Sequence, residues 1–283
     1  MTTETITYAR RSGRELLADV YHPEGTPKAG VILLHGGGWR VGSKEAIAPA
    51  AQALAAYGYL ALSAQYRLLG EAAWPAQIQD VKSAVRWLRR NCASFGFGSD
   101  KVAVEGFSAG GHLALLAGGT SHVAAYSAPD EAGEDDSVGA VVAFFPPIEF
   151  RIGAVPTQGE SEASRLLQDA TSPAEAANAS PITHINDRYP PTCLLHGTDD
   201  HIVAPIASQR LFDRLRAAGV KADMHLFAGH THEFSALPSM VPHVQGLAAS
   251  FFERHVVNPD YYVQENNALN AFAGGRRPQV AAR

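Results

Sequence analysis

Residues 106 to 110 read Gly106-Phe107-Ser108-Ala109-Gly110, behind the apolar run Lys101-Val102-Ala103-Val104-Glu105 and ahead of the helix-like stretch 111–116. A serine between glycines on a strand-to-helix turn is placed to act as a nucleophile. So tight a turn strains the backbone at the serine. Cβ atoms two residues away on either side would clash, hence Gly106, Gly110 and the small Ala109. The turn lifts the Ser108 hydroxyl clear of the strand and puts the Ala109 N–H at a helix N-terminus, where negative charge is favoured. The same pentapeptide also occurs in loops with no chemical role. What separates the two readings is whether a base and an acid follow. They do, in two stretches. His196-Gly197-Thr198-Asp199-Asp200-His201-Ile202-Val203 comes after the apolar run 192–195, and Gly229-His230-Thr231-His232-Glu233-Phe234 after the alternating run 222–227. Residue type alone leaves Asp199 and Asp200 in competition for the acid, and His230 and His232 for the base. The unused aspartate would cap a turn or helix. Two histidines two residues apart also raise a metal site, but no Cys-x-x-Cys or His-Glu-x-x-His pattern supplies further ligands. Neither a metal nor a cofactor is expected.

Upstream, the buried-strand pattern Gly30-Val31-Ile32-Leu33-Leu34 ends in His35-Gly36-Gly37-Gly38-Trp39. Three glycines let backbone N–H groups approach a substrate with no Cβ in the way. The N–H groups of Gly37, Gly38 and Ala109 would surround an oxygen that turns negative in a tetrahedral intermediate, each donor worth about 3 kcal/mol there. A phosphate-binding loop is the competing reading, and the G-x-x-x-x-G-K-[ST] arrangement it needs is missing. Trp39 reads equally as a pocket wall or as a core residue that orients the loop.

Taken together, His35 to Trp39, the block Gly106-Phe107-Ser108-Ala109-Gly110-Gly111-His112-Leu113 and the block His196 to Val203 resemble the α/β-hydrolase superfamily. Within it they resemble the acetylesterase and feruloyl-esterase-like carboxylesterases related to hormone-sensitive lipase. Ser63-Ala64-Gln65-Tyr66-Arg67-Leu68, Trp74 to Val81 and Ala179-Ser180-Pro181-Ile182 agree with that group, and the likeness runs from about residue 14 to about residue 255. The resemblance implies Ser108 as nucleophile, Asp200 as acid, His232 as base, the oxyanion hole just described, and Trp39 and His112 at the substrate pocket. It also implies a serine carboxylester hydrolase that cleaves small acyl esters through an acyl-enzyme. Two alternatives share the motifs: an arylformamidase or other amide hydrolase, and a ligand-binding member without catalysis. Gln65 stands where many relatives carry Asp, and Ala204 where many carry Pro.

The elements that must position these residues alternate. An N-terminal hairpin-like region (4–10 and 14–22) precedes strand patterns at 31–34, 59–64, 101–105, 140–145, 192–195 and 222–227. Helix patterns fall at 46–57, 78–91, 109–116, 208–218 and 242–255. Continuous apolar strands between amphipathic helices predict an α/β class chain with a mostly parallel twisted sheet covered on both faces. One domain is expected over 1–257, with a cap-like insertion at about 150–191 containing a helical candidate at 161–177. Residues 120–138 read as a solvated surface loop. The tail 258–283 loses periodicity. It is expected either to be flexible or to be pinned by Tyr261, Tyr262 and Phe272 to the surface or to a partner subunit, as in a homodimer.

The net charge of −5 argues against nonspecific nucleic-acid binding. No apolar run approaches the ~20 residues needed to cross a bilayer, and residues 1–14 lack the apolar stretch of a signal peptide, so a cytoplasmic location is expected. Cys92 and Cys193 are the two cysteines, expected as free, buried thiols.

Overall fold

Period-two burial decides how the central strands sit. In the computed structural model, which describes residues 2–121, 123–151, 161–162, 164–167 and 172–272, β3 (Gly30–Leu34) sends Ile32 and Leu34 to one face and Val31 and Leu33 to the other, all fully buried. A strand apolar on both faces has to lie inside a sheet covered twice. The sheet has eight strands. After β1 (Thr3–Arg11) and β2 (Arg14–Tyr21) they are β4 (Leu60–Ala64), β5 (Val102–Phe107), β6 (Val141–Phe144), β9 (Thr192–Gly197) and β10 (Ala222–Phe227), in the order β1-β2-β4-β3-β5-β6-β9-β10. β1 and β2 form the expected antiparallel hairpin, β2 runs antiparallel to β4, and every later pairing is parallel. All six predicted strand patterns are strands of this sheet.

On one face lie α2 (Ala76–Phe95), α3 (Ala109–Gly119) and α6 (Ile206–Ala217); on the other lie α1 (Ala48–Ala56) and α7 (Val241–Phe252). The stripe Ile78, Val81, Val85 and Leu88 of α2 is fully buried, each side chain contributing roughly 1.5–3 kcal/mol on burial. Gly96 ends α2 at φ +92°, a left-handed position that glycine occupies without strain. Parallel strands all deliver their C-terminal loops to one edge. The segments after β3, β5, β6, β9 and β10 therefore converge there.

Two expectations need correction. Residues 161–177 do not form one helix: β8 (Ser161–Glu162), which pairs with β7 (Phe150–Arg151), is followed by the short α4 (Ser164–Leu167) and by α5 (Pro173–Ala179). Ser172 starts α5 through a capping box with Glu175, and Pro173 takes the first helical position, so the chain restarts a helix there. Residues 152–160, 163 and 168–171 of the expected insertion lie outside the described residues. In the tail, residues 259–272 form α8 (Pro259–Phe272), and residues 273–283 lie outside the described residues. Tyr261 is 59% exposed, while the side chain of Phe272 lies outside the described residues. The stretch 120–138 is not merely solvated. Glu131 and Asp136 are buried against α2, where Arg86 pairs with both and Lys82 Nζ lies 3.2 Å from Asp136. Removing one partner there would strand a buried charge, at a cost of about 3–5 kcal/mol.

Among the described residues, one buried carboxyl in the sheet is paired with no cation. Glu105 of β5 accepts from Gln245 Nε2 on α7 at 2.8 Å. Glu105 Oε2 and Gln245 Oε1 both lack a donor. Burial pushes this carboxyl up to about 8, so at neutral pH it holds a proton. The unfolded chain ionises near the ordinary 4.5 while the folded one holds its proton. Stability is therefore expected to fall as pH rises from about 4.5 to about 8, then level off. Glu105→Gln keeps a donor at the same reach and does not ionise. Thermal melts should show the variant gaining over wild type at pH 8.5, by about 1–3 kcal/mol, and little at pH 5. Equal gains or losses at both pH values would contradict a neutral Glu105.

Candidate active site

Ser108 sits at φ +53°, ψ −115°, a conformation that L-residues rarely adopt, between β5 and α3. A Cβ on Gly106 would strike the Gly110 carbonyl, and one on Gly110 would strike the Leu34 carbonyl. The glycines thus let the turn close against β3, and the strain at Ser108 is held by packing on both sides. Phe107 stacks on Phe144 at 4.6 Å, fixing the strand end that carries the turn.

The loop after β10 brings His232 Nε2 to 2.9 Å from Ser108 Oγ, the hydroxyl donating. His232 Nδ1–H donates to Asp200 Oδ2 at 2.6 Å. Of the competing residues, Asp199 turns to Thr198 Oγ1 at 2.8 Å, and His230 packs its ring on Phe234 at 5.4 Å. Asp200 and His232 are the pair that meets Ser108. Asp200 Oδ1 accepts the backbone N–H groups of Ile202 and Val203, both at 2.9 Å. Burial alone would raise the Asp200 carboxyl. The hydrogen bonds from His196, His232 and the Val203 N–H outweigh it and hold the group well below the usual carboxylate range.

Gly37 (φ +108°), Gly38 (φ +58°) and Ala109 border the same cavity as Ser108 and His232. A Cβ on Gly37 would run into the Val41 carbonyl. Their N–H groups donate to no protein acceptor among the described residues, which leaves them for a ligand oxygen. His35 anchors the loop: it stacks on Tyr66 at 4.3 Å, and Tyr66 donates its hydroxyl to the His35 carbonyl at 2.9 Å. Arg67 grips Asp80 through Nε at 2.8 Å and Nη2 at 2.7 Å, fixing β4's exit to α2. Gln65, where many relatives carry Asp, accepts the Leu17 N–H through its side chain at 3.3 Å and so ties β4's end to β2.

Trp39 is both things the sequence left open. It borders the cavity, yet only 3% of it is exposed. His112 does not border it, and its expected place at the pocket is corrected. It is fully buried behind Trp39, accepting the indole N–H at 3.3 Å through Nδ1 and donating Nε2–H to the Ala179 carbonyl at 2.8 Å. Burial lowers this imidazole to about 4, so it stays neutral and serves as a strut between Trp39 and the C-terminal end of α5.

Two further residues belong to the site. Phe145, forced to φ +40° after β6, lays its ring 4.5 Å from His232 and 5.7 Å from Phe234. His196, at the end of β9, places Nε2 3.1 Å from Asp200 Oδ2 and Nδ1 2.7 Å from Ser208 Oγ on α6. Ser208, His196 and Asp200 thus form a second serine–histidine–aspartate array that shares its carboxylate with the first. His196 and Ser208 are completely buried, so no substrate reaches them. The array that opens on a cavity is Ser108, His232 and Asp200.

Two cavities meet at Ser108. One, of about 360 Å³, runs beneath Val41, Ile47 and Ala50 to Phe145 and Val241 and is mainly apolar. The other, of about 450 Å³, holds His232, the oxyanion glycines, Trp39, Arg40 and Ile202. The described residues of 150–191 border neither of these two cavities.

Residues 18–215 match the profile of the BD-FAE family. The chain belongs to that family. Its fold is the α/β-hydrolase fold, as the motifs implied. The esterase LipC of Mycobacterium tuberculosis is 35% identical over 198 residues, covering 68% of this chain and 49% of that protein. The chain spans about half the length of the curated relatives it matches. Among solved structures, the thermophilic esterase Est2 of Thermogutta terrifontis is 27% identical with a TM-score of 0.77, covering 89% of this chain and 91% of that one. The same esterase phosphonylated by sarin is 25% identical with a TM-score of 0.79, covering 89% and 94%.

Proposed function

We propose that this chain is a carboxylesterase-type serine hydrolase that cleaves small acyl esters. The observation that carries the reading is the continuous line from Ser108 Oγ through His232 to Asp200 Oδ2, at 2.9 and 2.6 Å, at the junction of two cavities. His232 takes the Ser108 proton as Oγ attacks the ester carbonyl, and Asp200 stabilises the imidazolium that forms. The N–H groups of Gly37, Gly38 and Ala109 receive the oxyanion. His232 then protonates the departing alcohol, and water repeats the sequence on the acyl-enzyme. LipC and the Thermogutta protein are both described as esterases, which supports the same assignment here.

The cavities give the substrate a direction. The leaving oxygen must depart within reach of His232 Nε2, and His232 borders only the larger of the two. The alcohol therefore leaves through the 450 Å³ cavity, and the acyl chain lies in the apolar 360 Å³ one. The test is a panel of p-nitrophenyl acetate, butyrate and octanoate, with N-formylkynurenine as the formamide. Esters should be turned over and the formamide hardly. Ala46 is exposed on the wall of the smaller cavity alone. Ala46→Trp should lower kcat/KM for octanoate at least tenfold relative to acetate. An unchanged chain-length profile would move the acyl group to the other cavity, and preference for the formamide would replace the esterase reading.

A further inference from the structure

The carboxylate of Asp200 faces four donors: the imidazole N–H groups of His232 and His196 at Oδ2 and the backbone N–H groups of Ile202 and Val203 at Oδ1. Only the His232 contact belongs to the chemistry proposed above. The backbone pair fixes one oxygen, and what fixes the other is a histidine with no exposure to solvent.

The protonation of His196 follows from its neighbours. Nε2 lies 3.1 Å from Asp200 Oδ2 and 2.9 Å from the Val203 carbonyl, both acceptors, so it carries the proton and divides it between them. Nδ1 is then the acceptor of a neutral ring, and the Ser208 hydroxyl donates to it at 2.7 Å. Each polar atom of the ring is satisfied. The Phe145 ring lies beside both imidazoles, 6.4 Å from His196 and 4.5 Å from His232. Resting on the esterase reading, we propose that His196, locked by Ser208, is a positioning residue: it holds Asp200 Oδ2 in line with His232 Nδ1 and takes no part in proton transfer. α6 therefore reaches the catalytic centre through Ser208, on the side opposite the substrate.

The hydrogen bonds around His196 dictate what a replacement must keep. Gln has an amide N–H at about the reach of imidazole Nε2, and its carbonyl can accept from Ser208. Phe fills the space of the ring without a donor. In the purified full chain, His196→Gln should keep kcat for p-nitrophenyl butyrate within about threefold of wild type. His196→Phe should lose kcat by about 10- to 100-fold with KM within about twofold, the size expected when a catalytic group is held loosely. Melting temperature is measured for both. Ser208→Ala, which removes a single hydroxyl, provides the same test where His196→Phe does not fold. It should lower kcat about three- to tenfold at unchanged KM. Full kcat in a folded His196→Phe, an equal loss in Gln and Phe, a rise in KM instead of a fall in kcat, or full kcat in Ser208→Ala would overturn the proposal. Turnover in the wild type that does not depend on Ser108 would overturn the esterase reading itself, which is a separate outcome.

Discussion

Asp200→Asn is expected to lower kcat by about 10⁴-fold while leaving KM within a few-fold. The size follows from the four donors around the carboxylate. An amide must turn its NH₂ toward one of the two oxygens' former positions. At Oδ1 it would meet the backbone N–H groups of Ile202 and Val203, which have no alternative protonation state. It therefore turns to the imidazoles, where His232 and His196 both donate to the carboxylate. His232 relieves the clash by moving its proton from Nδ1 to Nε2. Nε2–H then faces Ser108 Oγ and cannot accept its proton. Steady-state kinetics on p-nitrophenyl butyrate measure the effect. A loss under tenfold would mean that Asp200 does not set the tautomer of His232.

Ser108→Ala should cost more, about 10⁴- to 10⁶-fold in kcat, and adding His232→Ala to it should cost almost nothing further. The base has no proton to take once Oγ is gone, so the two losses do not add. The variant should still fold with an undiminished melting temperature, because Ala at φ +53° is no more strained than Ser. It should also still bind substrate, since both cavities and the oxyanion N–H groups are intact. Additive losses in the double variant would place the two residues in separate steps.

The three central residues were legible because strand patterns marked where loops begin, and a parallel sheet sends all those loops to one edge. The choice within Asp199/Asp200 and His230/His232 rested on resemblance. Adjacent residues of one type differ only in side-chain direction, which periodicity does not encode. His196 was in view as part of a motif, but nothing in its spacing says that it donates to an aspartate four residues later from a strand's end. Its position directly before Gly197, where a Cβ would meet the His230 carbonyl, was the available hint of tight packing between these loops. His112 was placed at the pocket through the resemblance alone, which says nothing of burial. Trp39 and Phe150 close over it. The helix at 259–272 escaped a reading based on an apolar stripe: among its described side chains Tyr261, Val263 and Leu269 are all exposed, so they form no buried stripe. The break at 172 was legible in principle, since Ser172-Pro173-Ala174-Glu175 spells a capping box.

The measurement that bears most directly on the account is covalent trapping. The purified chain is treated with a fluorophosphonate, digested, and the modified peptide mapped by mass spectrometry. One phosphonyl group per chain on Ser108, absent in Ser108→Ala and formed far more slowly in Asp200→Asn, is the predicted result. A label on Ser208 or any other serine, or no label on Ser108 at all, would contradict it.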